Sequence, residues 1–382
     1  MELRPQFDTF LRDIRPSERN KQEWRTGSAT LRSRLLADPD LSPLIVSTFL
    51  QGSVRRSTAV RPTGGKRSDV DVVTVTTIDH NQETPAVAMK RFEPFLERHY
   101  SGKWTKQDRS YAIELSYVDL DLVVTALPTA PDERTALAAL YKSEAVQTLD
   151  TLEERNDWRL NKNWREDANP IFEAAADSAK DDEPASAWQP HPLMLPDRTI
   201  RDWGPTHPLA QIAWAAQKNR ACNGHFVNVV RSIKWWRHEH TVSLPKYPKG
   251  YPLEHMIGIV LPDDINSVAE GLTLAFEGIR DTFKDNYLAG TVPVLPDHGV
   301  PSHDVMKRVT PKDFRAFYEG VAAAAGTARK ALDSTDAVES GELWQGLLGK
   351  CFPLPDPSGG DRTRGLTAPA AAAQPRQTPR FA

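Results

Sequence analysis

Alternating apolar and polar positions predict strands in the first third of the chain. Residues 44–50, 69–75 and 111–125 are rich in valine, leucine and isoleucine, and aspartates interrupt the last two segments at alternate positions. Side chains two residues apart share one face of a strand, so aspartates spaced in this way lie on one face and their apolar neighbours on the other. We therefore predict three strands, with 111–125 forming a single strand.

A helical period accompanies these strands. Residues 6–37 and 85–100 carry apolar side chains at the spacing that places them along one side of a helix. Ser17, directly after Pro16, is a typical helix N-cap, so we predict that a second helix begins there. From Pro208 onward the helical period dominates, which predicts a helical second lobe.

Composition divides the chain into three parts. We predict N-terminal helices and a strand-containing core over residues 1–207, and a helical lobe over 208–355. The stretch 173–190 is small, acidic and polar, which is typical of a surface insertion or a linker. Residues 356–382 are rich in Pro, Gly, Ala and Arg and contain few apolar residues, so we predict a flexible tail.

The overall composition is that of a globular protein and excludes several classes. Of 382 residues, 39% are hydrophobic and 26% charged, and the net charge is −3. Such a chain is unsuited to coating nucleic acid through a broad basic face, so we expect no bulk nucleic-acid binding. No apolar run approaches the roughly 20 residues of a spanning helix, and the N-terminus lacks a signal-peptide pattern, so we expect a cytoplasmic protein without membrane attachment. The two cysteines, Cys222 and Cys351, predict neither a disulfide framework nor a zinc ribbon.

Two aspartate pairs lie on the predicted strands. Asp69 and Asp71 share one face of the first, and Asp119 and Asp121 share one face of the second. Aspartate is a poor strand former and neighbouring carboxylates repel each other, so we expect a divalent cation to compensate them. Two metals that assist an in-line phosphoryl displacement lie roughly 4 Å apart and need about three carboxylates. We predict Asp69, Asp71 and Asp121 as catalytic metal ligands and treat Asp119 as a flanking residue.

A glycine–serine pair lies sixteen residues before the first aspartate pair. Gly52 allows the backbone to approach a phosphate closely, and Ser53 offers a hydroxyl to a phosphate oxygen. Gln51 precedes them and completes the predicted nucleotide-binding turn. The nearby loop 62–68 contains Gly-Gly-Lys but lacks the G-x-x-x-x-G-K spacing, so it does not predict an ATPase phosphate loop.

These residues together resemble a known superfamily. Gly52-Ser53, then Asp69-x-Asp71, then Asp121 on a later strand resemble the signature of the polymerase-beta-like nucleotidyltransferases. Three later segments resemble the cGAS/DncV-like nucleotidyltransferases (CD-NTases), namely 226–237, 251–255 and 344–353. The similarity extends over nearly the whole folded part, and the chain as a whole resembles clade D of that family.

The resemblance implies a fold and a reaction. The implied fold is α+β, with a polymerase-beta-like nucleotidyltransferase core of mixed sheet and helices, a C-terminal helical lobe and an active site in the cleft. The implied activity is second-messenger synthesis in bacterial antiphage defence, in which ATP and GTP become 3′,3′,3′-cyclic AMP-AMP-GMP with release of pyrophosphate. Two magnesium ions held by the three aspartates would assist each transfer. Lys234 and Lys249 would join the glycine–serine turn in binding nucleotide.

The same resemblance implies partners, and alternatives stay open. Relatives in antiphage systems are joined to a target through their C-terminal residue by an E1/E2-like ligase, which implies the same for Ala382. A downstream effector would bind the product rather than this chain. A template-independent RNA-tailing enzyme or a small-molecule nucleotidyltransferase would use the same carboxylates. The sequence does not place the residues that select the bases.

Overall fold

The computed structural model describes residues 1–143 and 192–356. The predicted acidic insertion at 173–190 and nearly all of the predicted tail lie outside these residues. In chain order, the described elements are α1 (Arg4–Ile14), α2 (Glu18–Ala37), β1 (Ile45–Gln51), α3 (Gly52–Arg55), β2 (Ser68–Thr76), α4 (Pro85–Lys90), α5 (Glu93–Tyr100), β3 (Trp104–Lys106), β4 (Tyr111–Glu114), β5 (Val118–Ala126), α6 (Pro131–Lys142), β6 (Leu193–Asp197), β7 (Asp202–Thr206), α7 (Pro208–Ala221), α8 (Phe226–Glu239), α9 (Tyr251–Val260), α10 (Val268–Thr282), α11 (Lys284–Ala289), α12 (Pro311–Asp333) and α13 (Ala337–Leu348).

Seven strands of the described chain form one mixed sheet. The main path runs β1, β2, β5, β4, β3, and β6 and β7 extend the sheet from the end of β5. The central pair, β2 and β5, is parallel, and the other pairs are antiparallel. A mixed sheet flanked by helices and followed by a helical region confirms the predicted α+β fold.

The prediction of one strand over 111–125 is wrong, because this segment forms a hairpin. Strands β4 and β5 pair in antiparallel fashion, with Glu114 opposite Asp119. The N–H of Leu115 donates to the carbonyl of Val118 at 3.0 Å and closes the turn. The apolar and polar alternation continues through the turn, so the period alone could not reveal it. Strands β6 and β7 were not predicted.

The predicted helices are confirmed, with one interruption. Ser17 caps α2: its hydroxyl accepts the N–H of Asn20 at 3.2 Å, and the Asn20 side chain accepts the N–H of Ser17 at 3.1 Å. This reciprocal cap satisfies backbone donors at the start of a helix. The segment predicted as one helix over 85–100 forms two, α4 and α5. Pro94 lies in the first turn of α5, where its missing N–H costs no helical hydrogen bond.

Two apolar clusters cover the faces of the sheet. On one face, Val70, Val72 and Leu120 are buried against α2, α4 and α5. On the other face, Val73 and Val123 are buried under α6 and the start of α7. That second face carries the aspartates at the beginnings of β2 and β5. The valines after the aspartates are therefore buried on both sides, which explains why the run loses its alternation.

A third cluster joins the helices of the C-terminal half. It includes Trp235 and Trp236, which are 4% and 2% exposed. Phe7 and Phe10 of α1 lie in the same cluster. Helix α1 therefore packs with the helical lobe, although the predicted division placed it with residues 1–207. Within the described ranges, every helix is too short or too polar to span a bilayer.

Candidate active site

The four aspartates of the two central strands meet on one face of the sheet. Parallel pairing places Asp69 beside Asp119 and Asp71 beside Asp121. Adjacent strands lie roughly 5 Å apart, and residues two apart on a strand share a face. The parallel register, which sequence periodicity cannot supply, thus assembles carboxylates that are 50 residues apart in the chain. The predicted trio of Asp69, Asp71 and Asp121 lies together.

The carboxylates disfavour one another's charge. Desolvation, followed by repulsion from Asp71 and Asp119, raises the pKa of Asp69 to about 6. Desolvation and repulsion from the other three raise the pKa of Asp121 to about 7. Burial also raises the pKa of Asp71, although Arg56 opposes the effect. The raised pKa values indicate that the protein does not supply enough positive charge to balance these carboxylates. The cluster therefore favours the binding of a cation or a proton.

Gly52 lies in close contact with one of these carboxylates. Gln51 ends β1 opposite Asp71, and Gly52 turns the chain away with a φ of +74°. A Cβ atom at position 52 would lie 1.8 Å from Oδ2 of Asp71. Both the positive φ and the missing side chain therefore require glycine. The carbonyl of Ser53 accepts the N–H groups of Thr58 and Ala59, which fixes the turn beside Asp71.

The donor set fits a hard divalent cation. Carboxylate oxygens are the ligands that magnesium prefers, together with phosphate oxygens and water. Within residues 1–143 and 192–356, no three His, Cys, Asp or Glu side chains already enclose a metal position. The three aspartates would therefore supply part of a coordination shell, and a triphosphate and water would supply the rest. The raised pKa values of Asp69 and Asp121 support this fit, because a cation would remove their repulsion.

Asp119 forms a direct ion pair with an arginine. Arg67 donates from Nε to Oδ1 of Asp119 at 2.6 Å, and its Nη2 lies 3.5 Å from Glu114. Arg67, Glu114 and Asp119 line an open cavity of about 420 Å³. Asp69 and Asp121 line the same cavity. A carboxylate that is already paired needs no metal. The pairing leaves Asp119 less available to a metal, and its flanking position stays a prediction.

A buried cluster of charges lies behind Asp71 and connects the sheet to the helical lobe. Glu254 of α9 accepts from Nε of Arg56 at 2.9 Å and from Nζ of Lys234 at 2.6 Å. Lys234 also donates to the carbonyl and hydroxyl of Thr58, at 3.1 and 3.2 Å. Burial alone would raise the pKa of Glu254, but the two cations outweigh burial and lower it to about 2. We call Arg56, Glu254 and Lys234 the buried triad.

The two predicted lysines occupy different surroundings. The Lys234 side chain is 13% exposed, and its amine donates to Glu254 at 2.6 Å. Burial lowers the pKa of Lys234, and Glu254 opposes the effect. Lys249 is exposed, lies 5.8 Å from the ring of Tyr247, and lowers the pKa of Asp69 by its charge. Lys249 therefore lies near the carboxylates across the cleft, whereas Lys234 supports the turn that carries Gly52.

Sequence reasoning missed the buried triad and the pairing of Arg67. Glu254 was part of a segment that resembled the CD-NTases, but nothing in the sequence indicated its partners, which lie 198 and 20 residues away. A buried glutamate within an apolar helix was the available signal, because such a residue needs a cation. Arg67 stands two positions before Asp69 and reaches Asp119 only through the parallel register.

Comparisons with known proteins agree with this arrangement. A model for the Second Messenger Oligonucleotide or Dinucleotide Synthetase domain matches residues 1–156. The cyclic AMP-AMP-GMP synthase of Enterobacter hormaechei subsp. hoffmannii is 52% identical over 382 residues, which cover all of both chains. The cyclic AMP-AMP-AMP synthase of an Acinetobacter strain is 28% identical over 357 residues, covering 92% of this chain and 86% of that relative.

A solved structure shows the same fold. The CD-NTase CdnG of Bradyrhizobium diazoefficiens, in complex with GTP, superposes with a TM-score of 0.62 at 13% identity, covering 91% of this chain and 96% of the other. At that identity the likeness supports the fold alone, whereas the full-length relative at 52% identity supports the family. The chain therefore belongs to the CD-NTases, the nucleotidyltransferases that synthesise second-messenger oligonucleotides.

Proposed function

We propose that this enzyme makes 3′,3′,3′-cyclic AMP-AMP-GMP from ATP and GTP, releasing one pyrophosphate at each transfer. The observation that supports nucleotidyl transfer is the assembly of Asp69, Asp71 and Asp121 on adjacent parallel strands. The full-length identity of 52% to a cyclic AMP-AMP-GMP synthase supports the product. Both supports are independent of each other, since one is a geometry and the other a similarity.

Each residue of the site has a role that its position supports. The Gly52–Ser53 turn, held against Asp71, would present backbone and hydroxyl donors to the donor triphosphate. Asp69, Asp71 and Asp121 would hold two magnesium ions, which neutralise the phosphates and make the acceptor hydroxyl more acidic. Asp121, which lies beside Asp71 in the parallel register, would receive the proton of the acceptor 3′-hydroxyl. Lys249, exposed across the cleft, would contact the triphosphate.

Lys234 has an indirect role in this proposal. Its amine is engaged by Glu254 and Thr58, so it would fix the nucleotide-binding turn and add positive potential behind Asp71. A buried amine is a weaker candidate for direct phosphate contact than an exposed one, because its donors are already used. The resemblance predicted a direct triphosphate contact for Lys234, which stays a prediction.

The other nucleotidyl-transfer functions receive less support. A template-independent RNA-tailing enzyme would need a surface for RNA, and a small-molecule nucleotidyltransferase would make a linear adduct. The relatives at 52% and 28% identity are both named as synthases of cyclic trinucleotides. Their similarity covers the helical lobe as well as the catalytic sheet, so it favours a cyclic product for this chain.

Product analysis tests the proposal. Purified enzyme is incubated with labelled ATP and GTP in the presence of magnesium, treated with phosphatase, and resolved by chromatography and mass spectrometry. We expect a phosphatase-resistant product with the mass of a cyclic trinucleotide containing two adenines and one guanine. Extended RNA would support a tailing enzyme instead, and the absence of pyrophosphate release would support a protein that only binds nucleotides.

Charge removal at the centre tests the residue roles. The double variant Asp69→Asn, Asp71→Asn should keep its fold and lose turnover, because asparagine retains the shape but not the charge. Asp132→Asn, an exposed aspartate in the first turn of α6, is the matched control and should turn over normally. Normal turnover by the double variant would contradict the assignment.

The wider biological predictions lie beyond the described chain. Antiphage defence, a cytoplasmic location and attachment of Ala382 by an E1/E2-like ligase stay predictions, and Ala382 lies outside the described residues. Deletion of the last three residues in the presence of such a ligase would test the attachment. Conjugation that continues unchanged would contradict it.

A further inference from the structure

A tight turn lies between the glycine–serine pair and Asp69. The N–H of Lys66 donates to the carbonyl of Thr63 at 3.1 Å, and the two residues between them, Gly64 and Gly65, have φ values of +61° and +76°. Positive φ at both central positions is the mark of a type I′ turn, which strongly favours glycine. A Cβ atom at either glycine would contact nothing within 4 Å. The backbone of the turn, rather than crowding, therefore requires the two glycines, and the turn determines where Lys66 lies.

Both ends of this turn are attached to other parts of the molecule. A hydrogen bond joins the hydroxyl of Thr63 to Nε2 of His238 in α8, which belongs to the helical lobe. Directly after the turn, Arg67 donates from Nε to Oδ1 of Asp119 in β5 at 2.6 Å. The turn therefore crosses from the helical lobe to the sheet, and Lys66 is held between the two attachments.

Lys66 lines the cavity of about 420 Å³ beside the aspartates. The described residues that line this cavity include Asp69 and Asp121 but neither Gly52 nor Asp71. Strand β1, which leads into the Gly52 turn, lies on one side of β2, and β5 lies on the other side. The cavity therefore lies on the β5 side of the predicted metal ligands, away from the turn proposed to bind the donor triphosphate. This is the side on which an acceptor nucleotide is expected.

Lys66 is the cation of the cavity wall that is available to an anion. The second cation of the wall, Arg67, already contacts Asp119 and Glu114. Lys66 is exposed and, among the residues that the structure describes, has no carboxylate partner. An ammonium group binds phosphate as a point charge, without the fixed geometry that a guanidinium imposes. The wall therefore offers a positive charge to a phosphate at Lys66.

The position of Lys66 along the strands suits the phosphates of an acceptor. In a nucleotide, the 3′-hydroxyl and the 5′-phosphates lie on opposite sides of the ribose. Asp119 lies two residues before Asp121, which is about 7 Å along β5. Arg67 pairs with Asp119, so Lys66 lies beyond the start of that strand. An acceptor whose 3′-hydroxyl lies at Asp121 would therefore direct its 5′-phosphates along the strand towards Lys66.

We propose that Lys66 binds the 5′-triphosphate of the acceptor nucleotide and that the double-glycine turn positions its amine. This inference rests on the proposed function, because nucleotidyl transfer is what gives the cavity an acceptor. Each transfer releases pyrophosphate from the donor, whereas the acceptor keeps its own triphosphate. That group stays on the growing chain until ring closure, so it needs a ligand of its own beside the one for the donor.

A single-transfer assay tests the inference. The donor is labelled 3′-deoxyATP, which lacks the 3′-hydroxyl and cannot serve as an acceptor. The acceptors are GTP and guanosine, which differ only in the 5′-triphosphate, with ATP and adenosine as a second pair. Formation of the dinucleotide that ends in 3′-deoxyadenosine gives the acceptor KM for the wild type, Lys66→Gln, Lys66→Arg and the control Lys90→Gln. Lys90 is an exposed lysine at the end of α4, on the opposite face of the sheet.

The expected result is a change in KM that depends on the acceptor triphosphate. In the wild type, the acceptor KM should be at least about tenfold lower for GTP than for guanosine, as one charge-assisted contact provides. Lys66→Gln should raise the KM for GTP about tenfold and leave the values for guanosine and for the donor within about twofold. Lys66→Arg keeps the charge and should retain most of the affinity, and Lys90→Gln should match the wild type. Because Lys66 is exposed, its substitution should leave the unfolding midpoint unchanged.

Three results would overturn the inference. These are equal wild-type KM values for each triphosphate and its nucleoside, an equal rise for both acceptors in Lys66→Gln, or a rise confined to the donor KM. The last result would place Lys66 at the donor triphosphate instead.

Lysine acylation separates this inference from the proposed function. The wild type is acylated briefly in magnesium with GTP, with guanosine or with neither, and the modified lysines are identified by mass spectrometry. GTP, but not guanosine, should protect Lys66 several-fold, and neither should protect Lys90. Protection of Lys66 in a protein that transfers no nucleotide would refute the proposed function and leave triphosphate binding at Lys66 standing. Nucleotidyl transfer without protection of Lys66 would refute the inference alone.

Discussion

The aspartate face, formed by Asp69, Asp71, Asp119 and Asp121, has excess negative charge. In the buried triad, by contrast, two cations compensate the carboxylate. On the aspartate face, four carboxylates meet and Arg67 pairs with Asp119, while the pKa values of Asp69 and Asp121 rise to about 6 and 7. In the buried triad, one carboxylate meets two cations, and the pKa of Glu254 falls to about 2. Asp71 links the two clusters: its charge helps to raise the pKa values of Asp69 and Asp121, and the charges of the triad act on its own pKa.

This difference in charge balance indicates that the aspartate face, rather than the buried triad, is the cluster suited to bind a ligand. A charge cluster that the protein itself compensates stabilises the fold and has little capacity for a further ion. A cluster left with excess charge stabilises nothing until a ligand of opposite charge arrives. In the proposed function, the triad acts on the active site through Asp71 and the turn beside it. It holds the Gly52 turn and adds positive potential, while the open face remains free for metal and nucleotide.

Breaking the buried triad should have the largest effect on stability. Glu254→Gln leaves Arg56 and Lys234 buried without a countercharge, and uncompensated buried charges cost about 3–5 kcal/mol. We expect the free energy of unfolding to fall by that amount in urea titrations. The control Glu342→Gln, on the helical surface, should change it by less than about 0.5 kcal/mol.

A triple variant sharpens this test. Arg56→Met, Glu254→Leu and Lys234→Met together remove all three charges and retain most of the buried volume. Apolar replacement of a complete buried ion cluster is often neutral or stabilising, so we expect stability close to wild type. Turnover should remain low, because the positive potential behind Asp71 is gone. A Glu254→Gln variant as stable as the wild type would contradict the structural role of the triad.

A methyl group at Gly52 should have the next largest effect, on turnover. The added Cβ would lie 1.8 Å from Oδ2 of Asp71, so the carboxylate must move. A displacement of about 1 Å in a catalytic group can cost about 100-fold in rate, and we expect a loss of that order for Gly52→Ala in pyrophosphate release.

The matched control for Gly52 is Gly102→Ala. Its φ of +69° is close to the +74° of Gly52, but a Cβ there would contact nothing within 4 Å. Both variants therefore carry the same backbone strain, about 1–2 kcal/mol, and only one displaces Asp71. Equal turnover in the two variants would show that the contact with Asp71 has no catalytic importance.

The aspartate face could be predicted from the sequence, whereas the buried triad could not. The aspartate face was predictable because aspartates at alternate positions of an apolar strand contradict the residue preferences of strands. Such residues therefore indicate a ligand site. Asp69, Asp71 and Asp121 were placed together by that reasoning, and the structure brings them together. Local signals of this kind are contained in a few neighbouring residues.

The buried triad and the hairpin of β4 and β5 could not be predicted in the same way. Arg56 and Glu254 are 198 residues apart, and only tertiary packing makes them partners. The turn at residues 115–117 is hidden by an alternation that continues through it. Long-range pairing and register, rather than local preference, therefore determined what was missed.

Removing one repelling charge should produce a smaller, stabilising effect. Asp121→Asn removes a buried charge: burial, followed by repulsion from the neighbouring aspartates, raises the pKa of Asp121 to about 7. After allowance for screening by solvent at this partly open face, we expect the metal-free protein to gain about 1 kcal/mol at a pH of about 8. Urea titration in a chelator measures the gain, and Asp132→Asn should show none. An Asp121→Asn protein no more stable than the wild type would refute the claim that these carboxylates are uncompensated.

The pH dependence of stability should show the smallest effect and distinguish the two clusters. Asp69 and Asp121 bind protons more tightly in the folded than in the unfolded chain, so their contribution to the free energy of unfolding falls as pH rises from about 4 to about 7. Glu254 has the opposite sign: its contribution is present above its ordinary pKa of 4.5 and is lost as pH falls toward 2. Above a pH of about 5 the aspartates should therefore lower the stability of the metal-free protein, whereas Glu254 no longer changes it. The histidines His225, His255 and His298, whose pKa values burial lowers, contribute with the opposite sign. Urea midpoints at pH values of about 5, 6 and 7.5 measure that slope. It should flatten in an Asp69→Asn, Asp121→Asn variant and also when magnesium is added, because either change removes the excess charge; a slope unaffected by both would place its source outside the aspartate face.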